Sequence, residues 1–385
     1  SSNNSQYCTK LVPRMKFASK NQAPEISKDP PEEKPIIFYD FEVFPNLIVL
    51  CWKFDGPNHP VFHMINPSAS EMAEFVEKGR LIDFNGRNYD RHIMYAIMLG
   101  YTNEQVYNLS QRMIVQHEGQ FQQAKGLGYA DILDFSSDKK SLKKFEIELG
   151  IHHQELGLKW DEPVPENLWD TVVDYCENDV RATEAVFHSK GRQADFLARK
   201  ILAELAGMPV DTPTNTLTTM FIFGNDKNPQ SQFLYRDLSK PVTELDPEVM
   251  QYLRDYNLPT SFTAYDGTKS ILPYFPGYSN FAGRSTYRGL EFGEGGYVSV
   301  KTGAWYDVWD EDVSGQHPST IRINCLLGPK YTRRYNDIVD ARVFIKHGDF
   351  ESAKKLMDGK LAKYLDDPTM AKALSSALKI AVNSV

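Results

Sequence analysis

Pro35-Ile36-Ile37-Phe38-Tyr39-Asp40-Phe41-Glu42 is an apolar run that ends in two carboxylates one residue apart. A short run of this composition reads as a buried strand. Acids at the end of such a strand lie at a sheet edge, where carboxylate oxygens can hold a hard divalent cation. An Asp-x-Glu pair alone is a weak signal, because any strand can run out into an acidic turn. Its weight depends on what the rest of the chain sets beside it.

Two further patterns supply that company. Leu81-Ile82-Asp83-Phe84-Asn85 reads as a second short strand, and Gly86-Arg87-Asn88-Tyr89-Asp90 leads from it into the apolar-periodic helix Ile93 to Leu99. Asp90 is therefore expected near a helix start. Leu168 to Phe187 reads as a long helix, and within it Tyr175 and Asp179 stand four apart, so a phenol and a carboxylate leave the same face.

Asp40-Phe41-Glu42, Asn85-x-x-x-Tyr89-Asp90 and Tyr175-x-x-x-Asp179, in that order, resemble the three motifs of the DEDDy 3′→5′ exonucleases that proofread for DNA polymerases. Between the second and third, Tyr129 to Phe135 followed by Ser141-Leu142-Lys143-Lys144 is similar to the strand and helix that this family places there. Each motif is individually cheap; their order and spacing carry the resemblance. It implies a ribonuclease H-like α/β domain in which Asp40, Glu42, Asp90 and Asp179 hold two Mg²⁺ or Mn²⁺ ions, with Tyr175 orienting the attacking water. Periodicity by itself gives only mixed α/β: strands at Ile36 to Tyr39, Leu47 to Phe54 and Pro60 to Met64, a helix at Ser68 to Glu77, then the strand and helix around Asp90.

A second resemblance lies further on. Asp312-Val313-Ser314-Gly315-Gln316-His317-Pro318-Ser319 resembles motif A of family B DNA polymerases, particularly bacteriophage members, and Glu294-Gly295-Gly296-Tyr297 resembles the glycine-containing segment joining their exonuclease and polymerase modules. The resemblance implies that Asp312 and the Val313 carbonyl bind catalytic metal, and that Gly315, Gln316 and His317 line the nucleotide. His317 stands where the residue that screens a ribose 2′-hydroxyl is expected, and it departs from the family's usual aromatic. Arg342 and Lys346 share a face of a helix expected over Asn336 to His347, and Lys379 and Asn383 share one over Thr369 to Val385. Cations so placed suit a triphosphate and are similar to the family's fingers.

The chain ends at Val385, before the Tyr-Gly and the second palm aspartate that the resemblance leads one to expect. The fold class expected is therefore a ribonuclease H-like exonuclease domain followed by an incomplete family B palm and helical fingers. The divisions expected are a flexible leader over 1–34, the exonuclease domain over 35–205, a connecting region over 206–290, and partial palm and fingers over 291–385. The implied partners are a DNA primer-template, deoxynucleoside triphosphates and a C-terminal polymerase fragment. Two other readings stay open: a free-standing exonuclease, and a non-catalytic primer-template adaptor.

Composition sets the outer bounds. A chain of 385 residues is long enough for two or three domains with a sizeable core. No run of about 18 apolar residues occurs, so no membrane partner is expected. Cys8, Cys51, Cys176 and Cys325 are far apart and lack metal-ligand spacing, which fits a reducing cytoplasm, that of the host if the chain is a bacteriophage's. The net charge of −8 argues against a uniformly basic polyanion binder. Arg322 to Lys363 nonetheless holds ten Lys or Arg against five Asp or Glu, so basic charge is local.

Overall fold

The quoted stretch becomes β1, Ile36–Val43, which extends through both acids rather than ending at Tyr39. A computed structural model describes residue 29 and residues 32–152, 155–233, 251, 254–255, 279–281, 284–287, 290–292, 302–309 and 315–384. Two compact units emerge, one made of the chain up to Gln232 together with Thr320 onward, the other running from Phe233 to Ser319. These units group residues 320–385 with residues 1–232, whereas the sequence suggested cuts at 205 and 290.

The larger unit is mixed α/β. β1 pairs antiparallel with β2 (Ile48–Phe54) and parallel with β4 (Arg80–Asp83), giving a five-stranded sheet in the order β3-β2-β1-β4-β5, with β3 at Val61–Ile65 and β5 at Ala130–Asp131. Helix α1 (Ala69–Glu77) precedes β4, and α2 (Asp90–Met98) and α3 (Asn103–Gln111) follow it. Side chains alternate across a strand. On one face Ile37, Tyr39, Phe41 and Val43 join Met72, Phe75, Ile93, Met94 and Leu109 in a buried cluster under α1, α2 and α3. On the other face Phe38 packs against Phe187 of α6 (Trp169–His188), which lies across β1, β2 and β3. Asp40 and Glu42 share that second face, so strand alternation directs both acids toward α6.

Short helices α4 (Ile132–Phe135) and α5 (Leu142–Leu149) lie between β5 and α6. Tyr129 to Phe135, read from sequence as a strand, is a two-residue strand that turns at once into α4, because the Asp131 carboxylate accepts from the Leu133 and Asp134 amides and caps a helix there.

After α6 the larger unit becomes helical: α7 (Lys190–Ala206), α8 (Thr214–Phe223), α10 (Gly328–Lys346), α11 (Phe350–Lys355) and α12 (Pro368–Asn383), with α9 at Gln316–Asn324. α12 packs on both α7 and α10, and the Tyr335 hydroxyl donates to the Val382 carbonyl at 2.9 Å. α10 starts well before the Asn336 expected from sequence. Pro329 fits its first turn, and Tyr331, Tyr335, Ile338 and Ile345 continue one buried stripe.

The smaller unit contains a three-stranded antiparallel sheet, β6 (Ser279–Phe281), β7 (Arg284–Tyr287) and β8 (Leu290–Phe292). Among the described residues, no helix is long and apolar enough to cross a membrane.

Candidate metal centre

Asp40 and Glu42 come from β1 and Asp179 from α6; one carboxylate oxygen from each lies within 4.8 Å of the others. Glu42 is buried, while Asp40 and Asp179 are half-buried. The donor set is all oxygen and anionic, which suits Mg²⁺ or Mn²⁺ better than a soft ion.

Asp90, at the start of α2, is not among the three acids whose oxygens converge, but its charge acts on both Asp40 and Glu42. The turn before it is built from local backbone demands. Asn85 takes a left-handed φ of 66°, and the Asp131 carboxylate accepts from the Asn85 and Arg87 amides at 2.9 and 3.1 Å. Gly86 passes so close to Asp83 that a Cβ there would sit 2.3 Å from the carboxyl carbon. The Arg91 amide then closes on the Gly86 carbonyl at 3.0 Å, and Asp90 opens the helix with its side chain buried.

Electrostatics tie the four acids together. Burial raises the Asp40 carboxyl well above the usual carboxylate range, and the charges of Asp90, Glu42 and Asp179 push it the same way. Glu42 is raised by burial, then by Asp179 and Asp90. Asp90 is raised by burial and by Asp83 and Asp131, against the opposing pull of its own helix-start amide and of Arg91. At Asp40 and Glu42 the principal influences all disfavour the charged form. Such a cluster resists ionising unless a cation shares it, and a divalent cation reverses that balance. The residues therefore fit a metal ion on their own chemistry.

Tyr175 stands one helical turn before Asp179, is nearly buried, and has its phenol held protonated by burial and by the charges of Asp179, Glu42 and Asp40. Its phenol lies within electrostatic reach of three of the carboxylates. Beneath it Cys176 donates to the Asp40 carbonyl at 3.4 Å, and Cys51, the cross-strand partner of Asp40, donates to the Val173 carbonyl at 3.7 Å. Both thiols are buried and brace α6 against the acid-bearing strand.

Other neighbours carry no sequence motif. Phe44 follows Glu42 by two residues, and Trp160 stacks on it with centroids 4.8 Å apart and planes 13° apart while remaining 47% exposed. The loop bearing Trp160 is tied to the β1–β2 turn because the Asn46 side chain exchanges hydrogen bonds of 2.9 and 2.8 Å with the Val164 backbone. An exposed tryptophan stacked on a buried phenylalanine was recognisable from sequence only as an aromatic in a polar loop.

A second group, Asp55, Glu184 and His188, also brings three ligand atoms within 4.8 Å. There the buried Lys53 ammonium already meets Glu184 at 2.6 Å, and His188 meets Asp55 at 2.6 Å. This cluster therefore carries its own counter-charges in Lys53 and His188.

Of the polymerase-like residues, Asp312 and Val313 lie outside the described residues. Gly315 has a φ of 62°, and it, Gln316 and His317 are exposed at the start of α9. Arg342 and Lys346 lie four apart on α10, and Lys379 and Asn383 four apart on α12, two helices that pack together; Arg342 is half-buried and the other three are exposed.

Comparison with known proteins brought no match: no family model, no curated protein and no solved structure matches this chain.

Proposed function

We propose that the acid cluster is the site of a metal-dependent 3′→5′ exonuclease acting on single-stranded or frayed DNA ends, and that the chain is part of a family B, bacteriophage-like DNA polymerase. One observation carries this reading: Asp40, Glu42 and Asp179, acids of two separated motifs, bring their oxygens together, and the charge of Asp90 from the third motif acts on Asp40 and Glu42. The larger unit's sheet, with α6 laid across β1, is compatible with the ribonuclease H-like domain such enzymes use.

In this reading Asp40, Glu42, Asp90 and Asp179 hold two Mg²⁺ or Mn²⁺ ions, which when bound supply an activated water and stabilise charge on the leaving 3′ oxygen. Glu42 orients that water from the buried side. Tyr175, kept protonated, donates a hydrogen bond on the attack side and leaves the ligand set intact. The exposed face of Trp160 offers a shelf on which the terminal base can stack, with Phe44 rigidifying the ring from below. A paired terminus would have to fray to bring its last phosphate to the acids.

The polymerase portion of the proposal rests on Asp312, Val313, Gly315, Gln316 and His317 for metal and deoxynucleotide, with Arg342, Lys346, Lys379 and Asn383 on the packed helices α10 and α12 contacting the triphosphate. A primer-template is the implied macromolecular partner.

The test is digestion of a 5′-labelled single strand with and without Mg²⁺. Stepwise release of nucleoside monophosphates from the 3′ end is expected, lost in Asp40→Ala and Asp179→Ala. Unchanged digestion in Asp40→Ala would sink the assignment.

A further inference from the structure

Asp90 can hold a metal only if the first turn of α2 is held still, and that turn has no side-chain cap. What it has instead is Arg91, fully buried, with every guanidinium N–H in use. Nε and Nη2 donate to the two oxygens of Asp83 at 2.7 and 3.2 Å. Nη1 donates to the Lys125 carbonyl at 2.9 Å and to Asp211 at 2.5 Å, and Nη2 donates to the other Asp211 oxygen at 3.1 Å. The fit leaves no room for adjustment on the third side, where a Cβ at Gly128 would lie 2.2 Å from the guanidinium carbon.

Asp83 also accepts the Tyr39 hydroxyl at 2.9 Å. Tyr39 precedes Asp40 and Arg91 follows Asp90. The immediate neighbours of two clustered acids thus converge on one buried carboxylate, and Asp211, 120 residues beyond Arg91, closes the arrangement from the opposite side. Asp211 is itself fixed: Arg199 donates to the carbonyls on either side of it, Val210 at 3.4 Å and Thr212 at 2.9 Å, and to Asp134 at 2.8 Å, while Arg87 donates to the Asp211 carboxylate at 3.0 Å.

We infer that Asp211 is a positioning residue for the metal-binding carboxylates, acting through Arg91 on Asp90. The inference rests on the metal-site reading above. With Asn at 211 one of the two accepting oxygens becomes an NH2 donor, so a buried guanidinium N–H of Arg91 faces a donor in place of its acceptor, and Arg91 must rotate or admit water. Either movement shifts the helix start that carries Asp90.

The experiment is a Mn²⁺ titration of the full chain followed by the electron paramagnetic resonance of free Mn²⁺, which needs no turnover. Asp211→Asn keeps the size and shape of the side chain; it is expected to weaken Mn²⁺ binding about tenfold, the lower end of what lost outer partners do to metal sites. Leu374→Ala, in the buried face of α12, serves as a control for general destabilisation and is expected to keep wild-type affinity. Unchanged affinity in Asp211→Asn overturns the inference, and so does an equal loss in Leu374→Ala. Should Asp211→Asn fail to fold, Arg199→Lys, which loosens the backbone around Asp211, is read the same way. Asp40→Ala separates the two levels of argument: if it abolishes binding while Asp211→Asn does not, only the positioning role fails; if it binds Mn²⁺ like wild type, the metal-site reading fails.

Discussion

Replacing Asp40 with Asn removes one charge from a cluster in which the main influences on that carboxyl all oppose ionisation. Two unit charges about 5 Å apart repel by about 3 kcal/mol at an effective dielectric of about 20. Asp40 is half-buried. Solvent screening and partial protonation reduce the expected relief to about 1–2 kcal/mol. In metal-free buffer at pH 8, Asp40→Asn should therefore be more stable than wild type, by about 1–3 °C in Tm at about 1.2 °C per kcal/mol for a chain of this length. The sign with pH follows from the raised carboxyl. A folded pKa above the unfolded value of 3.8 contributes stability that is complete below 3.8 and lost as pH rises through the folded value. The advantage of Asn should accordingly shrink toward pH 5, where protons already neutralise the cluster. Adding Mg²⁺ or Mn²⁺ should raise the wild-type Tm and leave Asp40→Asn nearly unmoved. Thermal unfolding by circular dichroism in EDTA and in divalent metal, at both pH values, measures all of this. An Asp40→Asn protein that is less stable in EDTA, or that gains as much from metal as wild type, would refute the reasoning.

Tyr175→Phe should slow digestion less than Asp40→Ala and leave the Mg²⁺ midpoint where it is, because the phenol donates beside the carboxylates without belonging to the ligand set; initial rates across a metal titration check this. Trp160→Ala should weaken single-strand binding by about 1–3 kcal/mol with Trp160→Phe largely retaining it, as read by anisotropy of a labelled oligonucleotide in EDTA; equal affinity in all three proteins removes the stacking shelf. His92 is buried with one ring nitrogen bonded to the Arg87 carbonyl at 2.9 Å and the other accepting the Phe121 amide at 3.0 Å, an arrangement that only the neutral ring satisfies. Burial lowers its pKa below the ordinary imidazole value of 6.5, so its contribution is complete above 6.5 and is lost as pH falls through the folded value. Ring-nitrogen NMR should show His92 predominantly neutral at pH 6.5, and a predominantly doubly protonated ring there would contradict the assigned bonding.

Much of this was legible without coordinates. Ile36 to Tyr39 had to be a buried strand by composition, and alternation then put Asp40 and Glu42 on one face. Tyr175 and Asp179 had to share a helix face by their spacing. The turn residues before Asp90 announced a helix start. These are local properties, set by backbone geometry within a few residues, and sequence order carried them. α10 shows the limit of that reasoning: Gly328 and Pro329 signal its start, but the buried stripe through Tyr331 and Tyr335 depends on α8 and α12 being there to cover it.

Only the tertiary structure decided which groups meet. The charges of Asp90 and Asp179 act on Asp40 because a parallel β1–β4 pair and a helix laid across the sheet bring three distant segments together. Arg91 is bonded to Asp211 because the chain after α7 returns to the start of α2, a closure that no periodicity encodes. Trp160 faces the acids' neighbour Phe44 because Asn46 ties down a loop more than a hundred residues away. Strand alternation and helical spacing determine direction locally; contact between remote segments depends on how the apolar faces of the whole chain are buried at once, and a single sequence states that only through the fold it adopts.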